Sequence, residues 1–178
     1  MTTYAGGLGK HFDFTPGAMP QSFNGSGITG KPVAMQNCEY MGVLITKTKS
    51  GGTTDDFLID LQEVNGAGGT PRDLDIITDY WYKQETDLDG DEPWVKVTQS
   101  AGSEIAAIAG TSETDFMGYF AVRAADLSDG YTHIAVNVPD FGNTDTQYGC
   151  VTYIPHNLKV QRAPVNMPSW KTPGTANA

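Results

Sequence analysis

Cysteine is nearly absent from this chain: Cys38 and Cys150 are the two in 178 residues. One pair cannot form the framework of a disulfide-stapled scaffold, and neither cysteine stands in a metal-ligand spacing. Both thiols are expected to be free, with Cys150 a small buried residue of a strand. Basic charge is scarce as well, with 11 Lys and Arg against 21 Asp and Glu and a net charge of −10. Lys47 with Lys49 is the nearest approach to a basic cluster, so nothing stands ready to displace counterions from phosphate. Nucleic acid and anionic membrane are both excluded as expected partners. Long apolar runs are missing too, and the first twenty residues lack a basic start followed by an apolar stretch. The expectation is a chain made and folded in a cytoplasm.

Motifs that carry chemistry are equally thin. No Gly-x-Ser-x-Gly elbow occurs, and neither cysteine lies near a histidine in sequence. His11, His133 and His156 have no ligand spacing between them. Gly6-Gly7-Leu8-Gly9-Lys10 lacks the spacing of a phosphate loop and the Ser or Thr that should follow its lysine. The sharpest local cluster is Asp87-Leu88-Asp89-Gly90-Asp91-Glu92. Alternating Asp87, Asp89 and Asp91 could offer oxygens to a hard cation such as calcium. However, Glu92 stands where a calcium loop needs Gly, and Thr98 where it needs a bidentate Glu. An acidic hairpin turn is the simpler reading, with no metal and no cofactor. Enzymatic activity is not expected.

What the chain does have is alternation and turns. Aromatic side chains are plentiful (8 Tyr, 7 Phe and 3 Trp), and 21 Gly and 10 Pro are scattered along the chain. Strands are expected over 40–49, 56–64, 74–84, 93–99, 116–124, 131–138 and 147–154. Met41, Val43 and Ile45 fall on one face, as do Phe57, Ile59 and Leu61, with Asp60 and Gln62 outward. Ile134, Val136 and Val138 oppose His133, Ala135 and Asn137, which puts His133 on an exposed or interfacial side. Ser103 to Ala109 is the one candidate for a helical turn. Tyr80-Trp81-Tyr82 reads as a core segment with at most two rings on one face.

These elements predict an all-β fold, a single β-sandwich of jelly-roll or immunoglobulin-like topology over 33–160. Residues 1–32 are Gly-rich and weakly periodic and are expected to be an extended N-terminal arm, within which His11 to Phe14 alternates like a short strand. Residues 161–178, with Pro164, Pro168 and Pro173, are expected to be a second arm. Isolated aromatics in the arms, Phe12, Phe14 and Trp170, are the candidate anchors for a partner.

Several segments resemble small virion structural proteins of tailed bacteriophages, of the head decoration or cement type. They are Tyr40-Met41-Gly42-Val43-Leu44-Ile45, Leu61-Gln62-Glu63, and Tyr80 to Leu88 leading into Trp94 to Gln99. The most characteristic piece runs from Ala124 to Pro155, with Asp129-Gly130-Tyr131, Ile134 to Val138 and Gly149 to Pro155. The resemblance covers about residues 35–156. It implies a building block of the virion without enzymatic activity, bound to the major capsid protein on the outer surface of the head and self-associating as a homotrimer. A tail or fibre component, or a glycan-binding module touching the host surface, is the alternative.

Overall fold

A computed structural model describes residues 7–23, 27–49, 58–105, 114–139 and 147–160. Eleven strands account for the regular structure: β1 (Thr15–Ser22), β2 (Val33–Ala34), β3 (Cys38–Lys47), β4 (Ile59–Val64), β5 (Pro71–Asp73), β6 (Ile77–Glu85), β7 (Val95–Gly102), β8 (Glu104–Ile105), β9 (Asp115–Arg123), β10 (His133–Asn137) and β11 (Tyr148–Leu158). Among the described residues, a 3-10 turn spans Ala124–Asp126. No helix among the described residues is long and apolar enough to cross a membrane.

The strands form two antiparallel sheets packed as a β-sandwich. The larger has the order β1-β11-β3-β9-β6-β7, the smaller β2-β10-β4-β5, with β8 also on β4. Alternation dictates the core. On β3, Met41, Val43 and Ile45 are fully buried, and Val43 lies between Tyr153 and Phe120 on the neighbouring strands. The smaller sheet contributes Ile59, Leu61, Ile134 and Val136, with Val136 opposite Leu61. The inward faces meet as one hydrophobic cluster.

Four expectations change. The segment read as an arm over 1–32 contains β1, which pairs with β11 from Thr15↔Tyr153 to Ser22↔Tyr148 through two register shifts. Phe23 and Ile28 are core residues. Pro16, Gly17 and Pro20 hide this strand in the sequence, and its edge position explains why prolines are tolerated. His11 to Phe14 is not a regular strand: Phe12 makes isolated bridges to Leu8 and His156. His133 is buried, because β10 is an interior strand of the smaller sheet and is covered on both faces. In the candidate helical turn, Glu104–Ile105 is a strand on β4, and Ala106 to Ala109 lie outside the described residues, as does Phe57.

Candidate protein-docking face

The two sheets differ in what they turn outward. On the smaller sheet the outward residues include Asp60, Gln62 and Asn137, joined in a polar chain. Gly30 N–H donates to Asn137 Oδ1 (3.1 Å), Asn137 Nδ2 to Gln62 Oε1 (2.6 Å) and Gln62 Nε2 to Asp60 Oδ2 (2.8 Å). These outward side chains are polar and half-buried, in contrast to the apolar inner face. Burial, and then the nearby carboxylates of Asp73 and Glu104, raise the Asp60 carboxyl above its ordinary range.

The larger sheet breaks that pattern. One row across its outer face reads Lys96, Trp81, Tyr119, Leu44, Thr152 and Pro16. The rows beside it bring Lys83, Met117 and Thr46 together at one end, and Tyr40, His156 and Phe12 at the other. Phe14, Trp81, Trp94 and Tyr148, all more than 40% exposed, stand on this face. Tyr40 stacks on His156 at 5.2 Å, and Phe12 meets Phe14 edge-on at 5.3 Å. Burial lowers the His156 imidazole below its ordinary range despite the opposing pull of Glu39. That keeps the imidazole stacked on Tyr40 uncharged at neutral pH. Charged side chains share the face, among them the pairs Lys96–Asp79 at 3.1 Å and Arg123–Asp126 at 2.6 Å.

The sequence candidates divide accordingly. Phe12 and Phe14 do share a face, and it is the outer face of the larger sheet, where Phe12 is half-buried and Phe14 is exposed. Trp170 lies outside the described residues. Tyr80-Trp81-Tyr82 reads as a core segment in the sequence, but Trp81 is exposed, and Trp94 is not among the sequence candidates. Tyr80 enters the core and Tyr82 stacks on Phe116, which leaves Trp81 to face outward. The hairpin register then sets Trp94 diagonally beside it. Lys96 lies over Trp81 at 6.0 Å and Lys83 over Trp94 at 5.5 Å, a checkerboard of two rings and two cations. The signal was present as alternation on both sides of the acidic turn, and only the register was missing.

The acidic turn organises differently from the alternating Asp87, Asp89 and Asp91 set. Asp91 groups with Glu85 and Glu92, their carboxylate oxygens within 4.8 Å of one another. Glu92 is buried and accepts the N–H groups of Asp89 (2.9 Å) and Gly90 (3.2 Å), so it closes the turn from inside. Burial pushes the Glu92 carboxyl up, but the backbone donors outweigh that and hold it below its ordinary range. Glu85 shifts the other way, raised by burial and by its neighbours Glu92 and Asp91. The cysteines are unbridged: Cys38 is buried, which pushes its thiol up to about 11, and Cys150 shares a 3.0 Å contact with Thr46 Oγ1.

No protein-family model, curated protein or solved structure matches the chain.

Proposed function

We propose that this protein is a non-enzymatic component of a phage virion that docks on the outside of the head shell and reinforces it. The observation that carries the reading is the apolar outer face of the larger sheet. Single exposed apolar residues are normal, but several large aromatic side chains exposed on one sheet face favour a surface that meets another molecule. Its aromatic anchors suit a protein partner, with Trp and Tyr supplying contact area at small entropic cost. The charge of the chain supports the outer side of the shell, since a strongly acidic subunit facing packaged DNA would be repelled. The resemblance of the central segments to head decoration proteins points the same way.

The test is binding of the purified chain to heads that lack it. Phe14→Asp and Trp81→Asp place carboxylates on the face without touching the core. Both should bind more weakly, and decorated heads should survive heat better than bare ones. Full binding by both variants would overturn the reading. A glycan-binding role is the second reading, favoured by the pairing of Trp81 and Trp94. It requires that Trp81→Ala and Trp94→Ala lose glycan binding while head binding persists.

A further inference from the structure

The strand β11 is covered along its outer edge in two stages. From Tyr148 to Tyr153 it pairs with β1, and beyond that the short segment 7–13 lies against it. Asp13 N–H donates to Pro155 O (2.9 Å) and Asn157 N–H to His11 O (3.0 Å), on either side of the bridge between Phe12 and His156. The segment also closes on itself, with Gly9 N–H on Phe12 O (2.8 Å) and His11 N–H on Gly7 O (2.8 Å). So short a backbone hold opens far more readily than a core ladder. Asn157 stands at φ +54, a left-handed conformation that a non-glycine residue enters at a cost. Its bonds to His11 and to Glu39 (3.2 Å) hold it there.

His156 stands where this hold is made, in a row that reads Phe12, His156, Tyr40 and Arg123. Its ring lies parallel to that of Tyr40 at 5.2 Å, and its Nε2 is buried with no hydrogen-bond partner among the described residues. A neutral imidazole tolerates such a site. An imidazolium carries a proton on both nitrogens, so it would place a charged donor where nothing accepts it. Burial accordingly lowers the imidazole below its ordinary range. The charged groups around it do not supply the missing acceptor. On β3, Glu39 attracts a proton to the ring, but its carboxylate is bonded to Asn157 Nδ2. On β9, Arg123 is cationic and paired with Asp126. The covering segment contributes Lys10, His11 and Asp13, whose Oδ1 accepts Phe14 N–H (2.7 Å), and Lys159 follows on β11.

We infer that the segment 7–13 is a pH-sensitive latch, closed on β11 while His156 is neutral and released when His156 takes up a proton. Release frees the edge of β11 over Pro155 to Asn157 and lets water reach Nε2. The inference goes beyond the docking proposal, because it concerns the isolated protein and stands whether or not that protein binds a shell. Hydrogen exchange of the full chain, followed residue by residue by NMR and corrected for intrinsic rates, tests it. Between pH 7 and pH 5 the protection of Asp13 and Asn157 N–H should fall about tenfold, since docking and protonation oppose each other by one shared factor. The midpoint should coincide with the titration of the His156 ring resonances, and amides of the interior strand β3 should not follow it. His156→Phe keeps a ring beside Tyr40 without a titrating group, and should keep the latch closed at pH 5. His11→Asn should leave the response in place. Equal protection at both pH values, a midpoint that follows His11, or a loss that persists in His156→Phe would overturn the inference.

Discussion

Tyr153 and Val136 tie the two sheets together: the buried Tyr153 hydroxyl on β11 accepts the Val136 N–H of β10 at 2.9 Å. That N–H is free because the chain beside β10 leaves the ladder between Ile28, bridged to Val138, and Val33, paired with Ile134. Two glycines permit the arrangement. A Cβ on Gly17 would come within 2.7 Å of the Tyr153 ring, and one on Gly30 would collide with Val136 O. Tyr153→Phe should therefore leave a buried donor unsatisfied. The expected loss is about 1–3 kcal/mol, or about 3–10 °C in Tm, measured by thermal melting. Gly30→Ala should cost more, since the obstacle is backbone. A Tyr153→Phe protein as stable as the parent would show that the hydroxyl is not a tie.

A second buried polar contact ties the smaller sheet to the loop before β10. Glu63 on β4 is buried and points inward, where it accepts Ser128 N–H (2.9 Å) and Arg72 Nε (2.7 Å). The Arg72 guanidinium also lies 4.1 Å from the centre of the Tyr131 ring. Glu63→Gln should cost about 1–3 kcal/mol by denaturant unfolding. Burial raises this carboxyl, but Ser128 and Arg72 more than offset it and hold it below its ordinary 4.5. Its contribution is therefore complete above that pH and is lost as the pH falls through the depressed folded value. Parent and variant stabilities should converge in strong acid.

Histidine should dominate the mildly acidic range. Burial lowers the His133 and His156 imidazoles below their ordinary 6.5. The unfolded chain then binds protons before the native one does, so stability falls as pH drops from about 6.5 toward the folded values. Melting temperatures should decline between pH 7 and pH 5. His156→Gln, at a half-buried position on the sheet face, should flatten that decline, and an unchanged slope would contradict this assignment.

The acidic turn should need no metal for folding. Glu92 already spends its oxygens on Asp89 and Gly90 N–H groups. Chelator should leave the Tm within about 2 °C of the untreated value, because a tightly bound ion lost from the native state would appear as lost stability. Glu92→Ala, by contrast, should open the turn and lower the Tm without added chelator.

Alternation made much of this architecture legible. Met41, Val43 and Ile45, or Ile134 and Val136, have side chains whose period of two can serve only a strand with one face in a core. The acidic balance and the scarcity of cysteine likewise belong to composition and needed no structure. The strand β1 was hidden because Pro16, Gly17 and Pro20 erase periodicity, and only its partner β11 reveals it as an edge. His133 looked outward by parity, yet the fold buries both faces of β10. Nothing in the sequence marks Glu63 as buried; only the fold brings Arg72 of β5 and Ser128 to its carboxylate.

The docking face shows the division most clearly. Sequence alone determined that Trp81 and Trp94 flank a turn, that Phe12 and Phe14 share a parity, and that Tyr40 and Tyr119 lie in strands. Whether those parities point inward or outward depends on strand register and on which strands become neighbours. Those are set by long-range pairing, in which a shift of one residue exchanges the two faces. Tertiary structure therefore decided that side chains drawn from six separate segments form one surface.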